Sequence, residues 1–208
     1  MYNRFVTDLP PTRKGREYEL RAMALRDFAG LKGPRQRLDP FELARYARLV
    51  VAEFDQVAPL LTKETREHLL GIGRNDWSGG ACSHTLPDGT KLIILNPTHG
   101  VNRKNATLME EISHVFLGHK PSRLGIANKA EHGTVRARDY NAAIEEQAYA
   151  VGASALVPFA GLREMVGEGK SSREIARHYA VSRQLVEFRI KTTHLWKQYL
   201  REQGSRRY

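Results

Sequence analysis

Residues 107–119 read Thr-Leu-Met-Glu-Glu-Ile-Ser-His-Val-Phe-Leu-Gly-His, and the reading of this stretch decides the rest of the chain. A helix is expected from about Asn105 to Gly118, where the glycine and then Lys120-Pro121 end it. On a helix, Glu110 and His114 are four apart and project from one face, one turn above the other. Glu111 sits one residue round, near the same opening. A carboxylate and an imidazole at that spacing can grip one metal ion, and the adjacent carboxylate can serve as a base. The spacing is that of the zinc-protease helix, His-Glu-x-x-His, with Glu110 in the place of the first histidine. Spacing alone discriminates weakly, because Glu and His four apart also occur as solvated pairs.

The neighbouring segments supply context. Downstream, a helix is expected over residues 142–156, stopped by Pro158, and Ile144-Glu145-Glu146-Gln147-Ala148 sets acidic residues in its otherwise apolar sequence. A metal held by two residues of one helix needs a third ligand from elsewhere, and Glu145 is the candidate. The competing reading is a carboxylate favoured by the dipole near a helix start. Between the two helices, residues 122–140 are polar and irregular; His132 and Tyr140 lie there as candidate transition-state donors. His119, five residues after His114, is expected to point away from the metal face and to act as a helix-end cation. Upstream, residues 81–86, a Pro87-Asp88-Gly89 turn and Leu92-Ile93-Ile94-Leu95 read as a β-hairpin closed by Asn96-Pro97. His84 and His99 flank it as surface histidines.

Farther out the chain reads as helices. One covers residues 17–29, with Leu20, Ala24, Leu25 and Phe28 on one face. Asp39-Pro40 caps a second, which runs through Leu43, Ala44, Tyr46, Ala47 and Leu49 into the apolar run around Val50. A third spans residues 62–70, and 71–80 form a loop. Near the other end, Ser171-Ser172-Arg173-Glu174 is a capping-box pattern opening a short helix. After Ala180-Val181, Ser182 caps a second helix carrying Leu185, Val186, Phe188 and Ile190. The pair resembles a helix-turn-helix, with Arg183, Gln184 and Glu187 on the outer face as candidate DNA or partner contacts. The alternative is that these helices simply complete the core. Trp196 and Tyr199 read as packing residues.

Composition bounds the class. The 208 residues are 41% hydrophobic and 27% charged, enough for one core-bearing domain with a small appendage and too apolar for wholesale disorder. No stretch approaches the roughly 20 apolar residues of a membrane span, and the first 15 residues lack the apolar run of a signal peptide. A single cysteine, Cys82, can form neither an internal disulfide nor a cysteine zinc site. A soluble, cytoplasmic protein is expected, with no membrane partner. The formal charge of +10 is uneven. Residues 161–208 hold 11 Lys and Arg against 5 Asp and Glu, residues 1–40 hold 9 against 5, and the middle balances at 13 against 13. Basic ends around a neutral middle suit contact with nucleic acid, although the same excess also serves solubility.

Taken in order, these pieces resemble the ImmA/IrrE family of bacterial metallo-endopeptidases, from about Arg13 to Trp196. The stretch from Leu38 to Ala44 looks like the family's N-terminal helix start. Ile93 to Asn96 looks like the strand before its active site. Arg103 and Thr107 precede the metal helix, residues 111–119 follow its motif, and Glu145 to Pro158 is similar to the third-ligand helix. Two departures stand out: the first zinc histidine falls on Glu110, and the residue four after the third ligand, usually Asp or Asn, is Tyr149. The resemblance implies an α+β, mostly helical fold. It would comprise a basic N-terminal arm with a helix (1–37), a zincin-like peptidase domain with a small β-hairpin or sheet (38–160), and a basic helix-turn-helix-like segment (161–208). It implies His114 and Glu145 as metal ligands, with Glu110 as an oxygen ligand in place of histidine, and Glu111 as the general base that activates water. The cofactor would be one divalent ion, zinc first, with manganese or iron made more competitive by the Glu-His-Glu set. The implied substrate is a regulatory protein such as a transcriptional repressor, in stress or mobile-element control. The reading from another class is a pseudo-peptidase that has lost its metal and regulates by binding DNA or protein through its basic ends.

Overall fold

Thr12 accepts the amide of Gly15 through its side chain and opens helix α1 (Arg13–Phe28). The computed structural model describes residues 8–85, 88–119 and 141–205, the side chains of 81–85 excepted. After α1, Asp39 caps α2 (Pro40–Tyr46), its Oδ1 accepting the amides of Phe41 and Glu42 at 2.9 and 3.4 Å. Strand β1 (Leu49–Ala52), the one-turn α3 (Phe54–Val57) and α4 (Lys63–Leu70) follow. Strands β2 (Gly79–Thr85) and β3 (Lys91–Leu95) lead into α5 (Val101–Phe116). Beyond the gap come α6 (Ala142–Leu156), α7 (Phe159–Gly167), α8 (Ser172–Tyr179), α9 (Arg183–Thr192) and α10 (Trp196–Ser205). The architecture is α+β and mostly helical, with one small sheet.

That sheet has the order β1-β3-β2, antiparallel between β2 and β3 and parallel between β1 and β3. The hairpin forms where the sequence places it, with Asp88 accepting the Thr90 amide and Gly89 at a φ of +81°. The parallel strand corrects the expectation that α2 runs on through Leu49. Arg48 adopts a left-handed φ of 54°, the chain turns, and Leu49 to Ala52 pair with Lys91 to Ile94. Tertiary pairing outweighs helical continuation here, because Val50 and Val51 are β-branched and a partner strand is in reach.

Leu108, Met109 and Ile112 of α5 are fully buried, each contributing about 1.5–3 kcal/mol by leaving water. Their spacing turns Glu110, Glu111 and His114 onto the half-exposed arc of the same helix. Helix α6 is enclosed from Ala150 to Leu156, and its small residues let α5 approach closely. A Cβ built at Gly152 would come within 3.2 Å of the Met109 carbonyl oxygen and the Ser113 hydroxyl. Substitution there would push the two helices apart.

Helix α1 lies against α6 with a face rotated from the one expected. Leu25 is buried as expected, but Leu20, Ala24 and Phe28 are exposed, and Glu19, Ala22 and Arg26 turn inward instead. The inward face is chosen by hydrogen bonding as well as by apolarity. Arg26 donates to the carbonyls of Ala155, Gly33 and Gln36 at 2.8, 3.0 and 2.6 Å. Glu19 accepts the Phe159 amide and an Arg189 guanidinium N–H, each at 2.6 Å, and Arg189 also donates to the Val157 carbonyl at 3.0 Å. A helix leaves its last carbonyls without intrahelical donors, and at the buried C-terminal end of α6 two arginines take that role. Phe28 borders instead an apolar groove formed with Leu43, Val115 and Phe116.

The capping box of α8 forms as the sequence prescribes: Ser171 and Glu174 exchange side-chain and backbone bonds. Ala180 takes the left-handed conformation between α8 and α9, and Ser182 accepts the Leu185 amide. One apolar cluster runs from Ala22 to Leu195 and includes Ile175, Tyr179, Val186 and Ile190. Trp196 and Tyr199 pack against it. No helix among the described residues is long and apolar enough to cross a membrane.

Candidate metal centre

Helix α5 begins at Val101, a turn earlier than the sequence suggests, and ends at Phe116. Glu110 and His114 therefore sit in its interior, where the backbone is regular and their one-turn separation is fixed. Asn141 starts α6 by accepting the amides of Ala143 and Ile144, which sets Glu145 in the first turn. The close crossing of α5 and α6 then brings the three side chains together. One ligand atom from each of Glu110, His114 and Glu145 lies within 4.8 Å of the others, and His114 Nε2 stands 3.5 Å from Glu145 Oε2. All three are half-buried. Glu145 is thus more than a helix-start carboxylate; Glu146 beside it is exposed and pairs with Lys14 at 2.6 Å.

These donors fit a divalent cation. Four-coordinate zinc with bonds of about 2.0–2.2 Å places its ligand atoms roughly 3.4 Å apart, close to the His114–Glu145 separation. Two carboxylates around one imidazole also form a hard, anionic set of the kind divalent metals neutralise. Glu111 is half-buried one residue round the helix and lies outside the three-residue cluster. Tyr149, one turn along α6 from Glu145, is half-buried with its ring against Phe188 of α9 at 5.2 Å between centroids. Burial, and then the nearby charge of Glu110, push its phenol above the ordinary tyrosine value.

His119 departs from the expectation that it points away. Its Nδ1 lies 3.1 Å from His114 Nδ1, and its Nε2 lies 2.9 Å from Gln147 Oε1. Counting five residues along a helix misplaces it because the helix has already ended. Gly118, at a φ of +69°, reverses the chain, and the His119 amide bonds back to the His114 carbonyl at 2.9 Å. The two rings meet edge-on, 5.1 Å apart. The glycine was the available signal: a C-terminal cap folds the next residue back over the last turn.

The other expected site residues disperse. His132 and Tyr140 lie outside the described residues, and nothing is described of the His84 side chain. His99 is not the plain surface residue expected. Both its ring nitrogens are enclosed without a hydrogen-bond partner among the described residues; burial, with Arg103 and Lys104 nearby, holds its pKa down. On α9, Arg183 and Gln184 are exposed, and Glu187 is half-buried. Glu187 accepts from Arg183 at 2.6 Å and from the Ser172 hydroxyl at 3.1 Å.

Among curated proteins none matches the chain. The sequence pattern of the IrrE N-terminal-like domain matches residues 75–191, from before β2 to the end of α9, and so spans the two helices that carry Glu110, His114 and Glu145. The chain belongs to the IrrE N-terminal-like domain family, the M78 peptidases, and carries a metallopeptidase-like domain.

Proposed function

We propose that the protein is a metal-dependent endopeptidase acting on a regulatory protein such as a transcriptional repressor. The observation that carries this reading is the convergence of Glu110, His114 and Glu145 from two helices on one point, within a chain of the M78 family. These three residues would hold the ion, zinc first, with manganese or iron favoured more than they would be by a His-His-Glu set. When bound, a divalent cation supplies Lewis acidity, polarising a carbonyl and making water a better nucleophile at neutral pH.

The remaining work belongs to the chain. Glu111 takes the proton of the attacking water and passes it to the leaving amine. The extra carboxylate at Glu110 adds negative charge, which tightens cation binding and tempers the Lewis acidity. His132 and Tyr140 remain candidate donors to the developing oxyanion. The rival reading, DNA binding through α9, has less support, because the Arg183 charge is already paired with Glu187.

The test begins with elemental analysis of the purified chain beside a His114→Ala control. About one equivalent of metal is expected, lost in the control. In cells, wild type should generate new protein N-termini that Glu111→Gln does not, with metal retained in that variant. Metal in neither protein, or identical N-termini from wild type and Glu111→Gln, would overturn the peptidase reading. Salt-sensitive duplex binding that weakens on Arg183→Ala would then favour the nucleic-acid alternative.

A further inference from the structure

We propose that His119 and Gln147 form a hydrogen-bond chain that fixes the tautomer and orientation of His114, making His119 a positioning residue for the cation. The proposal rests on the metal-site reading above.

The chain can be followed proton by proton from its outer end. Gln147 presents Oε1, an acceptor, to His119 Nε2 at 2.9 Å, so that nitrogen carries the hydrogen. A neutral imidazole has one N–H, which leaves His119 Nδ1 as an acceptor. It faces His114 Nδ1 at 3.1 Å, and two bare nitrogens cannot share that distance, so His114 Nδ1 is the donor. His114 Nε2 is then left with its lone pair directed at Glu145 Oε2, 3.5 Å away. Metal-binding histidines are generally held this way, by a hydrogen bond from the other ring nitrogen to a neighbouring acceptor.

Position supports the role. His119 is half-buried where the chain folds back after Gly118, and its backbone amide is anchored on the His114 carbonyl. Gln147 is two residues beyond Glu145 on α6. The chain therefore ties the end of α5 to the helix that supplies the third ligand. It orients His114 from outside the cluster without adding a ligand to it.

The experiment uses the full-length protein and two readouts. The first is the tautomer of His114 in the metal-free protein, read from long-range proton–nitrogen NMR couplings at a pH where the rings are neutral. The second is the zinc dissociation constant by competition with a chelating dye. Wild type is expected to show His114 with its hydrogen on Nδ1. His119→Phe, with an amide spectrum confirming the fold, should shift the hydrogen towards Nε2 and weaken zinc 10–100-fold at unchanged stoichiometry. Gln147→Leu should weaken it less. His119→Asn, which keeps an acceptor near the Nδ1 position, should recover most of the loss. Hydrogen on Nε2 in wild type, or unchanged zinc affinity in His119→Phe, would overturn the proposal. So would complete loss of the zinc equivalent in a folded His119→Phe, which would make His119 a ligand. A wild type that takes up neither zinc nor manganese would sink the metal-site reading separately, and the tautomer would still decide the hydrogen-bond chain.

Discussion

The two ends of α6 gather charge for opposite purposes. At its C-terminal end, Arg26 and Arg189 cap the carbonyls of Ala155 and Val157, and Glu19 joins Arg189 to the Phe159 amide. The Glu19 and Arg189 side chains are 2% and 6% exposed, so that pair is closed to water and balanced within the protein. At its N-terminal end, Glu145 meets Glu110 and His114, all half-buried, with two carboxylates to one imidazole. The helix dipole favours anions at the first end and cations at the last, and both clusters obey it. The difference lies in exposure and in the donors gathered. A pair closed to water and matched in charge is scaffold, whereas a half-buried group of two carboxylates and one imidazole is suited to a cation from solution.

The sharpest way to break this comparison is at the scaffold end. Arg189→Ala would leave Glu19 as a buried charge without its cation. It should cost about 3–5 kcal/mol, seen as an early midpoint in urea denaturation. A loss below about 1 kcal/mol would mean that the C-terminal end of α6 is no more fixed than the N-terminal end.

A second test uses alkali. Tyr179 donates its hydroxyl to the Pro34 carbonyl at 3.0 Å in the same buried region, and burial raises its pKa to about 12. Because the folded value lies above the unfolded one, near 10, the neutral phenol stabilises the fold fully below pH 10. That contribution is lost as pH rises through about 12. The loss should be about 2–3 kcal/mol by pH 12, and Tyr179→Phe should flatten the alkaline limb of a stability–pH curve. Parallel curves for the two proteins would refute the assignment.

The smallest effect is expected at the open end. Lys14 and Glu146 pair at 2.6 Å, with 60% and 56% of their side chains exposed. Lys14→Ala should therefore leave both the denaturation midpoint and zinc affinity unaltered. A measurable change would show that α1 braces the N-terminal end of α6 as well as the scaffold end.

What could be read from the sequence follows the distance over which each interaction acts. The caps at Asp39, Ser171 and Ser182 are local, and they appear where the residue types place them. The limits of α6 were legible for the same reason. Glu110 and His114 share one helix. Glu145 was reachable because coordination chemistry demands a third donor, and the structure brings those three together. The face of α1 was misread because apolar spacing alone was weighed, while Glu19 and Arg26 turn inward to partners far along the chain. Strand β1 was hidden because its partner residues begin at Lys91. His119 was missed because a single left-handed glycine changes the direction of counting.

The bond between Glu19 and Arg189 spans 170 residues of sequence, which bears on how the chain is made. Helix α1 is synthesised 170 residues before the arginine that neutralises its buried glutamate. A nascent chain can assemble local helices and the hairpin early, but its core stays open at one seam until α9 arrives. Contacts this distant in sequence slow the final closure and prolong the exposure of the apolar faces of α5 and α6. A fragment that ends at Pro158 lacks Arg189, leaves the buried carboxylate of Glu19 without that cation, and should accordingly be much less stable than the whole chain.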